Sequence, residues 1–166
     1  VSVTADNVVL TDTNNLMLAA TTTSGDLTLN TGAALSLSSN VTVGGNAALD
    51  ATGAVVQTGG TLAVTGTTAL EAGTNISLSE ATNSFGGAVA VSGATDVDLV
   101  STGGITLGAV ATTGGLSVTA VTGNVGLSGV VSVASLSAVS TAGAITQSGG
   151  SVAVTTGTTN LTAATD

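Results

Sequence analysis

The sequence predicts an all-β chain wound into a right-handed parallel β-helix, a β-solenoid of about seven coils, and three observations carry that prediction. Apolar residues recur as i, i+2 pairs along the whole length, which is the period of a strand with one face turned inward. Short Gly, Asn and Asp segments separate the pairs and supply positive φ for corners. The chain also nearly repeats itself after about ninety positions, the mark of a stacked architecture in which each unit touches only its neighbours.

Taken in chain order, the pairs begin with Val8/Leu10, Leu16/Leu18, Leu27/Leu29, Leu35/Leu37, Val41/Val43, Leu62/Val64 and Ile76/Leu78. They continue with Val89/Val91, Val97/Leu99, Ile105/Leu107, Leu116/Val118, Val125/Leu127, Val131/Val133 and Val152/Val154, with Ser, Thr, Ala or Gly between the members. Gly44-Gly45-Asn46, Gly59-Gly60, Gly86-Gly87, Gly103-Gly104, Gly114-Gly115 and Gly149-Gly150 fall between pairs and mark the corners. Strand starts lie mostly about eight residues apart, so three strands make a coil of roughly 20 to 25 residues. Coils stacked at about 4.8 Å pair every backbone N–H and C=O along the axis, and seven of them span about 30 Å. Each larger side chain turned inward contributes roughly 1.5 to 3 kcal/mol by burial. No segment calls for a helix.

Two other β architectures fit less well. A transmembrane barrel needs strands of about 9 to 11 residues and two aromatic girdles, whereas Phe85 is the one aromatic residue here. A sandwich or propeller relies on an aromatic core and Pro-containing turns, and the chain has no Pro, Trp or Tyr. A slim solenoid has no room for large rings, so Phe85 is expected to cap a corner before Gly86-Gly87.

The internal repeat sets the domain organisation. Asn7 to Leu29 aligns without a gap on Asp96 to Val118, Thr52 to Thr65 on Ala142 to Thr155, and Gly66 to Leu70 on Gly157 to Leu161. The expectation is one solenoid segment over residues 1–166, made of two copies at about residues 1–88 and 89–166. The segment is read as an excerpt of a longer repeat protein.

Composition removes most chemistry. The 166 residues include no Lys, Arg, His or Cys, and nine acidic residues give a formal charge of −9. A Ser or Thr nucleophile has no His or Lys to act as its base. Zinc lacks its His and Cys ligands, and phosphate or nucleic acid lacks Arg, Lys and stacking aromatics. No nucleic-acid partner and no enzymatic activity are expected on those grounds, and no membrane insertion, because no apolar run approaches the roughly 18 residues of a spanning helix. A 43% apolar content with mean hydropathy +0.64 is opposite to the disordered signature, so the chain is expected to fold. Without Lys or Arg it offers no trypsin-type cleavage site, which suits an exposed surface, and simple drift in a repetitive sequence explains the same absence.

Gly53-Ala54-Val55-Val56-Gln57-Thr58-Gly59-Gly60, its partner Gly143-Ala144-Ile145-Thr146-Gln147-Ser148-Gly149-Gly150, and Asn83-Ser84-Phe85-Gly86-Gly87-Ala88-Val89 resemble repeats of filamentous-haemagglutinin-like surface adhesins. Val9-Leu10-Thr11-Asp12-Thr13-Asn14 and Asn75-Ile76-Ser77-Leu78 look like the same family, and the similarity covers nearly the whole chain. The resemblance implies a secreted or surface-displayed right-handed β-helix, exported by two-partner secretion or as an autotransporter passenger. The amino-terminal export domain and Asn-rich secretion motif of that family are not seen in these residues.

Asp96 and Asp98 flank Val97 and are the one candidate site. At i, i+2 in a strand both carboxylates leave one face, where a pair of acids serves Ca²⁺ or, at about 5 to 10 Å apart, glycoside hydrolysis. Their counterparts in the first copy are Asn7 and Val9, and no Lys or Arg supports catalysis, so no catalytic residue and no resident cofactor are expected. A weak Ca²⁺ site at Asp96 and Asp98 is the remaining metal candidate, and the calcium-roll nonapeptide is absent. Asp6, Asp12, Asp26, Asp50, Glu71 and Glu80 are spread out and keep a fibre soluble. Asn40-Val41-Thr42, Asn75-Ile76-Ser77 and Asn160-Leu161-Thr162 are glycosylation sequons that also suit corner Asn residues. Thr11-Asp12-Thr13, Thr65-Gly66-Thr67 and Thr156-Gly157-Thr158 have the Thr-x-Thr form of ice-binding faces, at irregular spacing.

The functional expectation is a structural, extracellular or cell-surface segment serving as stalk, adhesin shaft or self-assembling filament. Its partners would be neighbouring repeats or identical subunits end to end. The competing expectation is a binding module for a carbohydrate, host surface or ice that uses a Ser/Thr-rich face.

Overall fold

Alternation of inward apolar and outward small polar residues leaves each three- to five-residue segment with one face to bury, and stacking on an identical segment does so. A computed structural model, which describes residues 1–164, shows this arrangement. Described residues form strands and turns and no helix. The first coil consists of β1 (Val3–Ala5), β2 (Val8–Asp12) and β3 (Leu16–Leu18). The second has β4 (Thr21–Thr23), β5 (Leu27–Thr31) and β6 (Leu35–Leu37), and the third β7 (Val41–Val43), β8 (Ala47–Ala51) and β9 (Val55–Gln57). The fourth has β10 (Leu62–Val64), β11 (Thr68–Ala72) and β12 (Ile76–Leu78), and the fifth β13 (Ser84–Phe85), β14 (Ala88–Ser92) and β15 (Val97–Ser101). In the sixth one bent strand, β16 (Ile105–Ala111), precedes β17 (Gly115–Ala120). The seventh has β18 (Val125–Leu127), β19 (Val131–Val133) and β20 (Ser135–Ser140), and the eighth β21 (Ile145–Gln147), β22 (Val152–Val154) and β23 (Thr159–Ala163).

The fold is thus the expected parallel β-solenoid with eight coils rather than about seven. Val3 pairs with Thr21 and Leu136 with Thr159, so a coil takes between 18 and 23 residues because its corners are tight. Columns of side chains run up the interior, such as Leu10, Leu29, Leu49, Leu70 and Val91, each stacked on the one before. From Leu29 upward these are at most 3% exposed, so the core is continuous along the axis.

The three sides are unequal, and the long side changes place. In coils one to four the five-residue strands are β2, β5, β8 and β11, on one sheet. From β15 onward the longer unbent strands β15, β17, β20 and β23 lie on the next sheet, whereas seven-residue β16 is divided into two short paired halves. The sheet of β1, β4, β7, β10 and β13 stops at β13, and β14 is continued by the two halves of β16 with a bulge between Val89 and Val91. The repeat therefore spans about four and one third coils, and its second copy has stepped round the axis by one side. Aligned positions keep their bonds through this step. Asn7 Oδ1 accepts the Asp26 N–H at 2.8 Å and Asp96 Oδ1 accepts the Gly115 N–H at 2.7 Å. Thr23 Oγ1 donates to Gly25 O and Thr112 Oγ1 to Gly114 O, both at 3.0 Å.

Two expectations are corrected. Phe85 caps no corner: it is 5% exposed and lies in the core, where its sheet ends and the interior admits one larger side chain. Most corner glycines do not supply positive φ either, since among described residues only Gly60, Gly93 and Gly150 have it. Close approach of stacked coils explains others: a Cβ on Gly44 would come within 2.3 Å of Ser24 O. At Gly60 both causes act, with φ 75° and a Cβ position 2.2 Å from Ser39 C.

Candidate functional site

The corners carry most of the organised polar chemistry. A carboxylate or carboxamide oxygen at the end of a turn is well placed to accept the amide one coil up, where the backbone itself offers no acceptor. Asn7 Oδ1 takes the Asp26 N–H, Asp26 Oδ1 the Asn46 N–H at 2.7 Å, and Asn46 Oδ1 the Thr67 N–H at 2.9 Å. A second ladder crosses from the first copy into the second: Asn75 Oδ1 takes the Asp96 N–H at 3.3 Å, and Asp96 Oδ1 takes the Gly115 N–H. Aspartate and asparagine interchange in these ladders because only an acceptor oxygen is required.

That explains why the candidate acid Asp96 faces Asn7 in the repeat. Asp96 stands on the corner just before β15, and Asp98 points outward from β15 between Ser77 below and Ser117 above. The two share one shallow depression of about 500 Å³ with Ser77, Ser117, Ser137 and Asn160. One of Asp96's oxygens is already committed to the backbone, and no three acidic groups come together among the described residues. Ca²⁺ takes six to eight oxygens, so one exposed and one half-buried carboxylate are a poor start. Asp96→Asn/Asp98→Asn is expected to melt within about 0.5 kcal/mol of the parent, with or without millimolar Ca²⁺, because the acceptor at 96 survives. Asp96→Ala, which strips the Gly115 amide of its partner, is expected to cost about 1 kcal/mol. A Ca²⁺-dependent rise in the parent's melting temperature that the double variant loses would reinstate a cation site.

The remaining candidates disperse. Asp12 accepts the Asn14 N–H at 2.9 Å within a turn, and Asp6 accepts the Ser24 hydroxyl. Asp50 and Glu71 stack in register on Asn30 along the outer face of the sheet that contains β5, β8 and β11. Asn83 donates its amide to Glu80 O at 3.0 Å. Of the sequon residues, Asn40 Oδ1 accepts the Thr61 N–H at 3.0 Å and Asn75 is in the corner ladder, while Asn160 is an exposed residue of β23. The Thr-x-Thr triplets share no column: Thr11 lies in β2, Thr65 and Thr67 follow β10, and Thr156 and Thr158 follow β22.

Two polar residues with structural weight escaped the sequence reading. Gln57 occupies an inward place stacked on Leu37, and Asn83 is 0% exposed. Their side-chain amides bond reciprocally at 2.8 and 2.7 Å. Asn83 also accepts the Leu62 N–H at 2.8 Å and donates to Leu78 O at 3.1 Å. Gln57 Nε2 further donates to Gly60 O, and Gln147 repeats that bond to Gly150 O in the second copy. The Gln-x-Gly-Gly strings thus hold a positive-φ corner. The signal for Asn83 was a polar residue where an inward apolar one was due.

Three-sided coils, parallel ladders on every side and corner polar groups engaged in stacking define a β-solenoid repeat protein. Residues 5–56 and 37–92 match the family model described as Repeats of unknown function (DUF5649), and the chain belongs to that family. No curated protein and no solved structure matches it.

Proposed function

We propose that this chain is a non-enzymatic structural segment of an extracellular or cell-surface repeat protein, a stalk or adhesin shaft built for reach and stiffness. One observation carries the reading: most polar side chains that hold a definite geometry spend it on the next coil, as the run Asn7, Asp26, Asn46 to the Thr67 amide does. Interior columns and ladders then make each coil the template of its neighbour, which favours length over a pocket. The likeness of the Gly53 to Gly60 and Gly143 to Gly150 strings to filamentous-haemagglutinin-like repeats supports surface placement. So does a chain without Lys or Arg, which trypsin-like proteases leave intact.

A second reading has a specific observation behind it. The outward column Ser77, Asp98, Ser117, Ser137, Asn160 is polar throughout and lines the depression beside Asp96, as a carbohydrate-binding face would. Antibody labelling of intact producing cells, combined with a glycan and matrix-protein binding panel on the purified chain, separates the two. Surface labelling with no saturable binding is the expected result. Saturable binding abolished by Asp98→Ala and Ser117→Ala would transfer the function to that face, and labelling only after lysis would refute surface placement.

A further inference from the structure

A stack of three-sided coils resists bending because all three sides carry ladders, and most levels of this solenoid are built that way. Between the second and third coils, β4 pairs with β7, β5 with β8 and β6 with β9, each in unbroken register. The level between the fifth and sixth coils is different on every side.

One side stops there. β13 has two residues, Phe85 stacks on Val64 below, and no strand of the described residues stacks on β13 from above. The sixth coil cuts across the missing side: Thr102 donates to Asn83 O at 2.7 Å, and Gly103-Gly104 then lead straight into β16. Ser101, fully buried, holds this short cut by donating its hydroxyl to Gly104 O at 3.2 Å. A gap lies under the short cut. A Cβ on Gly103 would meet nothing within 4 Å, and one on Gly104 would meet first Asn124 and Gly123 of the coil above, whereas Gly86 and Gly87 press on Thr65 and Gly66 of the coil below.

The second side is interrupted. β14 pairs with β16 at Ala88 and Val89 and again at Val91, with a register shift between, and β14 is followed by Gly93 at φ 76°. Only the third side passes through intact, since Val97 to Ser101 of β15 pair one for one with Leu116 to Ala120 of β17. One continuous ladder opposite one gap is the geometry of a hinge. Opening on the gapped side breaks few ladder bonds, and in a stack where each coil touches only its neighbours the loss stays at that level.

We propose that the level between the fifth and sixth coils is a joint, at which the solenoid bends by opening over β13 while the ladder of β15 and β17 serves as the hinge. This rests on the reading of the chain as a rod, and it locates where that rod yields.

Native-state amide exchange reads the opening residue by residue. Thr102 and Thr122 are exposed residues of one type that both donate their N–H to the coil below, the first to Asn83 O across the joint and the second to Thr102 O one level up. After correction for intrinsic rates, Thr102 is expected to exchange about tenfold faster than Thr122. A clamp then separates hinge motion from fraying of one bond. Ala88 and Thr106 are register partners across the joint, with Cα atoms about 4.8 Å apart, inside the span of a disulfide, and the chain has no other Cys. Oxidised Ala88→Cys/Thr106→Cys is expected to slow Thr102 to within about twofold of Thr122, whereas oxidised Ala48→Cys/Ala69→Cys, partners in the unbroken stack below, leaves Thr102 unchanged. Equal rates for Thr102 and Thr122 in the unaltered chain would overturn the joint. A fast Thr102 amide that ignores the clamp would overturn it too, by reducing the opening to local fraying. Either failure leaves the structural role standing, since that role is decided by surface labelling and the binding panel.

Discussion

Asn83→Ala is expected to cost about 3 to 5 kcal/mol, the largest loss for any single polar residue of this chain. The carboxamide is fully buried and makes four hydrogen bonds: two with Gln57, one from the Leu62 amide and one to Leu78 O. Alanine returns none of them, and the cost of a buried donor or acceptor left without a partner is about 1 to 3 kcal/mol each. The gap also removes the brace that joins the end of the third coil to the corner entering the fifth, across 26 residues of sequence. Asn124→Ala is the control. Its Oδ1 caps the Ala144 N–H at 2.9 Å on an exposed corner where water takes over the bond, so about 1 kcal/mol or less is expected. Gln57→Ala should be coupled to Asn83→Ala by about 1 to 3 kcal/mol in a double-mutant cycle, because each removes the other's partner. Urea denaturation followed by circular dichroism reads all four proteins. A loss below about 1 kcal/mol for Asn83→Ala would mean that the reciprocal pair is idle.

The strand pattern was legible because a period of two needs no context: a pair such as Leu27/Leu29 faces inward wherever the strand sits. Corners were legible as places and not as mechanisms. Gly44 and Gly60 look alike in the sequence, yet one avoids a carbonyl of the coil below and the other also adopts positive φ. The step of the long side was hidden for a related reason. Alignment of Asn7 with Asp96 says that the two segments are alike, but only coil length says how far round the axis a repeat has travelled, and that length varies between 18 and 23 residues. At the candidate site, Asp96 and Asp98 border one depression, but Asp96 stands on the corner before β15 and not in the strand that the spacing assumed. What spacing could not reveal is that Gly115 had already claimed one of the oxygens of Asp96. Asn83 was missed because its partner, Gln57, lies 26 residues away, beyond any local pattern.

Leu70→Ala and Leu161→Ala test the same point with two residues that the repeat makes equivalent. Leu70 stacks between Leu49 and Val91 and is 2% exposed. Truncating it forfeits burial and leaves a cavity that both neighbouring coils must tolerate, so about 2 to 5 kcal/mol is expected. Leu161 stacks on Ala138 alone and is 53% exposed, so its truncation forfeits part of one contact and opens no cavity, for about 1 kcal/mol or less. Urea melts of dilute samples provide the comparison. In a quasi-one-dimensional stack the difference has a further consequence. A weakened middle coil disturbs an interface on either side and lowers the whole transition, whereas a weakened last coil frays by itself. Equal losses at the two positions would contradict the stacked core, because they would make stability follow local sequence in place of a residue's distance from an open end.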